Sequence, residues 1–197
     1  MSLIRPYRES DRADVAEICL KTGDGGQDAT GMHGSDELLA DIFALPYVDL
    51  EPETCFVVDT GERASGYIVC AADTRGFVER YRSDWVPAFA AKHGGAGLSP
   101  MIEIGLDPDR MIIEELDEYP AHLHIDLLPE LQGQGMGRRL MRTLLTALRE
   151  RGVPGVHLGV SPSNTGAVAF YKRLGFFPLP SDAGEGSLLG IRTDAVV

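Results

Sequence analysis

Cysteine is scarce in this chain: Cys19, Cys55 and Cys70 are the only three in 197 residues, widely spaced and in or beside apolar runs. No disulfide framework or zinc-ligand spacing follows from them, and a reducing cytoplasm is the compartment they suit. Positive charge is also short, with 18 Lys and Arg against 30 Asp and Glu, a formal net charge of −12. That balance argues against general nucleic-acid or anionic-membrane binding, which needs basic surface, and it permits a cationic partner. No apolar run approaches the ~20 residues of a membrane span, and the opening residues 1–8 lack the apolar core of a secretory leader. Internal repeats and low-complexity segments are absent. What remains is an ordinary globular composition, 44% apolar and 24% charged, in a chain long enough to bury a full core as one domain, 1–197.

Glycine is concentrated where it matters. The stretch His122-Leu-His-Ile-Asp-Leu-Leu128 alternates and then turns apolar, as a strand does, and Pro129 ends it. Leu140, Met141, Leu144, Leu145 and Leu148 then recur at helical spacing. Between strand and helix stand Gly133, Gly135 and Gly137, every second residue. Their missing Cβ atoms let a backbone approach a ligand closely, and the free N–H groups of the helix's first turn face that ligand with positive potential. The combination predicts a phosphate cradle. It is not a Walker loop, because Arg138 stands where Lys-Ser/Thr is required, and Gly-x-Gly-x-Gly is not the dinucleotide spacing. The plainer alternative is a glycine-rich connection without a ligand.

A second block follows at a fixed distance. Val156–Val160 reads as a strand, and Asn164 caps an amphipathic helix over Thr165–Leu174 that Gly175 stops. Gln132-Gly-Gln-Gly-Met-Gly137 with the preceding Leu127-Leu-Pro129, and Asn164, Ala167, Phe170, Tyr171, Arg173, Gly175 and Phe176 after it, resemble the two motifs of the GCN5-related N-acetyltransferases. Further stretches, Ala44 to Val58, Gly66-Tyr67, Asp73, Phe77 and Trp85-Val-Pro87, look like the acetyltransferase-like domain that ends animal O-GlcNAcases and its free-standing bacterial relatives. Those animal domains lack an intact cofactor loop, whereas Gln132 to Gly137 is retained here.

The element order agrees with that resemblance. Leu3–Pro6 reads as a strand, Ala13 to Leu20 as a helix capped by Ser10 or Asp11, and residues 21–34 as a long glycine-rich loop. Ser35–Ala44 reads as a short helix ending before Pro46, and Thr54–Asp59 with Ala64–Ala72 as a hairpin. Phe77, Tyr81, Trp85 and Phe89, spaced by four, share one helical face until Pro87 interrupts it. That face either closes over an acceptor pocket or packs on the sheet. Residues 94–100 read as a connector, Asp107-Pro108 as the start of a helix over Asp109–Leu116, and Ser187–Arg192 as a last strand. The expected fold is a single α/β domain: a mixed, mostly antiparallel sheet flanked by helices, with a helical insertion at about 76–119 before the cofactor-binding strand.

The resemblance implies acetyl-CoA as cofactor and transfer of its acetyl group to a primary amine, on a small molecule or on a protein Lys or N-terminus, by direct attack. It implies that Leu127, Leu128, Gln132, Gly133, Gln134, Gly135, Met136, Gly137 and Arg138 hold the cofactor on one side, and Asn164, Ala167, Phe170, Tyr171 and Arg173 on the other. Leu127 would offer its N–H to the thioester oxygen, and Tyr171 would protonate the departing sulfur. Asp126 is the candidate base, with Glu114, Glu118 or a water in reserve. A strict pleat sets Asp126 and Leu127 on opposite faces, a conflict that a bulge would relax. His122 and His124 share the face of Asp126, but no third ligand at recognisable spacing makes them a metal site. Asp24, Asp28 and Trp85 are candidates to meet the acceptor. A non-catalytic acyl-CoA-binding module is the alternative to an enzyme, and the acceptor's identity and the oligomeric state, homodimer included, stay open.

Overall fold

A computed structural model describes residues 2–97, 99–181 and 187–197; Leu98, within the expected connector, lies outside the described residues. Strands β1 (Leu3–Pro6), β2 (Phe56–Asp59), β3 (Ala64–Ala71), β4 (Ala121–Leu127), β5 (Gly155–Gly159), β6 (Phe177–Pro178) and β7 (Leu188–Arg192) form one sheet of order β1-β2-β3-β4-β5-β7-β6. Every neighbouring pair is antiparallel except β4 and β5. The mixed, mostly antiparallel sheet of the sequence expectation is the sheet observed.

Alternation along the strands assigns two faces. On one, Val57, Tyr67 and Val69 pack under helices α1 (Arg12–Thr22), α2 (Leu38–Phe43) and α3 (Leu45–Leu50). On the other, Val58, Ile68, Cys70 and Leu123 pack under α7 (Met136–Glu150) and α8 (Thr165–Leu174), whose Leu140, Met141, Leu144, Leu148, Tyr171 and Leu174 are buried. Between β3 and β4 run α4 (Thr74–Arg80), α5 (Val86–His93) and α6 (Pro100–Leu106), then two 3-10 turns.

The helix expected to end before Pro46 does so, at Phe43, and a further helix, α3, follows, with Pro46 in its first turn where a missing N–H costs nothing. Three local expectations are corrected. Pro87 does not interrupt the aromatic helix. A π-turn over Tyr81–Trp85, closed by Val86 N–H on the Tyr81 carbonyl, shifts the ladder by one residue just ahead of the proline and carries the chain from α4 into α5. The connector at 94–100 gives way to α6, which Ser99 caps by accepting from Ile102 N–H at 3.3 Å. The helix expected over Asp109–Leu116 is instead two 3-10 turns, Pro108–Met111 and Glu114–Asp117, with Ile112 and Ile113 extended between them. Two adjacent β-branched residues followed by four acids within five positions disfavour a continuous helix there.

One irregularity positions the site. β4 and β5 pair only at Ala121–Val156 and His122–His157 and then diverge, while β4 stays paired to β3 as far as Leu127. The upper half of β4 therefore has one edge open.

Candidate active site

At that open edge lies a cleft of about 1110 Å³ whose lining comes from both faces of the sheet. From the α1–α2 side come Thr22, Leu39, Phe43, His124 and Asp126, and from the α7–α8 side Leu127, Met136, Phe170 and Tyr171. The cleft passes through the sheet where two strands have parted.

Backbone geometry sets the polarity of its wall. Leu128 N–H donates to Ser65 O at 3.0 Å, and antiparallel pairing turns only alternate residues toward a given neighbour. Leu127 therefore turns its N–H and C=O the other way, toward the gap, and its carbonyl accepts from Gln132 Nε2 at 3.0 Å. The loop then climbs through Gly133 (φ 73°) and Gly135 (φ 75°), in a left-handed region that L side chains seldom adopt, with open space where a Cβ would lie. Gly135 is the N-cap of α7, and the first amide bonded back into the helix is Arg139 N–H on Gly135 O, 3.2 Å. The amides of Met136, Gly137 and Arg138 precede it without an intrahelical acceptor. Gly137 is small for a different reason: a Cβ there would lie 3.0 Å from the Phe170 ring, so α7 and α8 meet at this point. Arg138 and Arg173 also line the cleft, exposed and without an ion pair among the described residues. Free amides at a helix N-terminus, two unpaired guanidiniums and glycines that admit close approach fit a pyrophosphate.

Asn164 caps α8 by accepting from Ala167 N–H at 3.1 Å, which leaves its amide N–H groups for the cleft. Tyr171, 8% exposed, has no hydrogen-bond partner among the described residues, and its hydroxyl is not sealed from the cleft. Burial first, and then the negative charge of Asp126, push its pKa above the usual phenol value, so it stays protonated.

Asp126 is half-buried and accepts from the Tyr67 hydroxyl at 2.5 Å, its cross-strand partner in register. Desolvation pushes its carboxyl above the ordinary range, and the hydroxyls of Tyr67 and Thr22 oppose that shift. The expected conflict between Asp126 and Leu127 is resolved without a bulge. Pairing of β3 with β4 runs unbroken from Gly66–Leu127 to Ala71–His122, and the two residues do lie on opposite faces. The parted strands, rather than a slipped register, bring both to one space.

Other expected site residues are not brought there. The Leu128 amide is engaged by β3 and its side chain is buried on the α1 face. Gln134 lies outside the lining, its side chain donating to the Glu130 carbonyl. Asp28 pairs with Lys21 at 2.8 Å and bonds Thr30, and Asp24 bridges to Gln27 through its backbone; neither lines the cleft. Trp85 packs into the core and donates Nε1–H to Asp41 O at 2.9 Å. The glycine-rich loop does reach the cleft, but through Gly23, Gly25, Gly26 and Gln27. Sequence reasoning missed Tyr67, whose hairpin position opposite β4 was the available signal, and also Thr22, Phe43 and Met101, which only tertiary packing assembles. No group of three or more metal-ligating side chains occurs among the described residues.

Fold and cleft together define a transferase that works on a coenzyme A thioester. Residues 27–176 match the Acetyltransferase (GNAT) family, and the chain belongs to that family. Acetyl-CoA is its cofactor, and a putative acetyltransferase of Salmonella typhimurium solved with acetyl-CoA shares the fold (TM-score 0.56, 13% identity, 98% of this chain and 94% of that one). The crystal structure of SsHAT is similar throughout, with 43% identity, TM-score 0.90 and 98% of each chain covered. Protein O-GlcNAcase of Rattus norvegicus is 25% identical over 189 residues, 92% of this chain. The chain spans only 20% of that relative's length. The [ribosomal protein bS18]-alanine N-acetyltransferase of Escherichia coli K12 is 46% identical over 61 residues, 31% of this chain and 40% of that one.

Proposed function

We propose that the protein transfers the acetyl group of acetyl-CoA to a primary amine by direct attack, with Asp126 as base and Tyr171 as acid. The observation that carries this is the pairing of two groups with opposed tasks across one gap. Asp126 has a raised affinity for protons, and Tyr171 has a hydroxyl held protonated and open to the same cleft. When bound, acetyl-CoA supplies the activated acyl carbon and a thiolate leaving group.

The chain's own residues do the rest. Amides of Met136, Gly137 and Arg138, with Arg138 and Arg173, bind the phosphates. Leu127 N–H, aimed into the gap, stabilises the oxygen that gains charge during transfer. With acetyl-CoA bound, Asp126 would take one proton from the ammonium form of the acceptor and pass it to solvent, and Tyr171 Oη would give its proton to the sulfur that leaves as the nitrogen–carbon bond forms. The second proton lost from nitrogen as the amide forms would restore the Tyr171 hydroxyl, so one proton is released per turnover. Intact acid and cradle favour this over a binding module. Three free, buried thiols suit a reducing cytoplasm. A screen of primary amines with detection of released thiol tests the proposal. Thiol release with stoichiometric N-acetylation is expected, and tight acetyl-CoA binding with no transfer to any amine would overturn it.

A further inference from the structure

The reaction above leaves four polar side chains unused, and they form one hydrogen-bonded line that ends on the cleft. The Thr74 hydroxyl donates to Pro120 O at 2.7 Å, so its single proton is taken, and Thr74 Oγ1 must accept from His122 Nδ1, also at 2.7 Å. His122 is buried and neutral; with its proton on Nδ1, its Nε2 accepts the Tyr47 hydroxyl at 2.8 Å. Met111 Sδ, at 3.9 Å, is a far weaker acceptor of the Tyr47 proton than His122 Nε2, so Tyr47 has only its oxygen lone pairs left, and they accept from His124 Nε2–H at 3.1 Å. Counting protons along the line assigns His124 the Nε2–H tautomer, with a bare lone pair on Nδ1. Burial and the nearby Arg110 charge keep His124 neutral, its ring pushed down to about 3.

His124 lies two residues before Asp126 on the same face of β4 and lines the acceptor end of the cleft. Its Nδ1 has no partner among the described residues and is not sealed from the cleft, unlike Arg110 Nη2. Apolar side chains of the same cluster, Leu39, Phe43 and Met101, line the cleft on this side of the sheet, with the Phe43 ring edge-on to His124 at 5.6 Å. Among the described residues the only cations in the lining, Arg138 and Arg173, are on the cofactor loop and α8.

We propose that His124 is a specificity-determining residue for the acetyl acceptor: its Nδ1, fixed as a pure acceptor by the Tyr47–His122–Thr74 line, takes one N–H of a primary amine whose apolar body seats on Leu39, Phe43 and Met101. The proposal rests on the acetyl-transfer reading above and narrows it. A primary ammonium carries three protons on nitrogen. One goes to Asp126 before attack, a second leaves as the amide forms, and the third stays on the product nitrogen, bonded to His124 throughout. A secondary amine has no proton left for His124 at the end, and an alcohol or thiol has none once its base has acted. The line is therefore a counter of N–H groups, and the apolar wall disfavours polyamines and free amino acids.

Two measurements test this. In protein labelled with nitrogen-15 at histidine, the His124 ring is expected as the Nε2–H tautomer at pH 7, and phenethylamine added to the CoA-saturated protein is expected to shift its Nδ1 resonance. An Nδ1–H tautomer, or an unmoved resonance, overturns the inference even if acetyl transfer is real. In turnover, phenethylamine is expected to outperform N-methylphenethylamine, phenethyl alcohol and spermidine. His124→Phe should raise the phenethylamine KM on the order of tenfold, the worth of one hydrogen bond. It should also erase the primary-over-secondary preference while acetyl-CoA affinity is unchanged. His124→Asn, which sets an amide oxygen near the Nδ1 position, should recover part of both. An unchanged KM and preference in His124→Phe overturns the proposal. If the wild type acetylates no amine, the transfer reading fails, and the Nδ1 shift with phenethylamine still decides whether His124 recognises the acceptor.

Discussion

The Tyr67 hydroxyl donates to Asp126 Oδ2 across 2.5 Å, from the residue directly opposite on the neighbouring strand. This bond favours the carboxylate, and so it restrains a proton affinity that burial raises. Removing it in Tyr67→Phe should move the acidic limb of the kcat/KM pH profile upward by about 1–2 pH units, since a hydrogen bond to a charged group contributes ~1.5–3 kcal/mol. An acidic limb that stays in place would show that Asp126 is not the base.

Asp126→Asn should exchange activity for stability. A carboxyl whose folded-state proton affinity is raised contributes stability that is present below the ordinary carboxylate pKa and lost as pH rises through the folded value. At a pH where the wild-type carboxyl is ionised that contribution is gone, so the uncharged amide should there raise Tm by roughly 2–4 °C, the effect of about 1 kcal/mol in a chain of this size. The gain should vanish near pH 3. Calorimetry at the two pH values checks the sign, and turnover should fall but recover partly at high pH, where the amine is already deprotonated.

Tyr171→Phe should leave acetyl-CoA affinity nearly unchanged, because the ring still packs beside Phe170 and Phe176. Its kcat should drop by on the order of 10²–10⁴, the usual loss for a positioned proton-transfer group. Alkaline solution supplies no proton to a thiolate, so no recovery at high pH is expected. Identical pH profiles for this variant and Asp126→Asn would refute the division of roles.

Gly135→Val should abolish acetyl-CoA binding by calorimetry while the protein stays folded. The backbone at 75° costs an L residue about 1–2 kcal/mol, and the added side chain projects into the open space of the cradle. Undiminished affinity would remove the loop from the cofactor site.

The legible parts of this protein were those written in consecutive residues. Gly133 to Gly137 and Asn164 to Gly175 each encode a turn and a cap whose geometry depends on near neighbours only, and both stand as expected. Asp126 was recognisable as a candidate, but how it could share a space with Leu127 was not, because the answer is where β5 leaves β4, and no local signal in either strand marks that point. Trp85 misled for the converse reason. Its spacing described a face correctly, but which neighbour covers that face depends on α2, and Asp41 O claims the indole. Ser99-Pro100 was a helix start hidden behind glycines. His124, Phe43 and Met101 come from a strand and two distant helices, and nothing in any one of them announces the other two.

Only two residue pairs fasten β4 to β5, so the sheet is a zip closed at one end. Above Val156 and His157 the backbone groups of the two strands have no rung between them, and whatever lies in the gap and touches both becomes the missing fastening. Acetyl-CoA bound as proposed would tie together the strand carrying Asp126 and the layer carrying Tyr171. Its concentration would then set more than the rate of reaction: a ligand that binds only the folded chain should also slow its digestion by proteases.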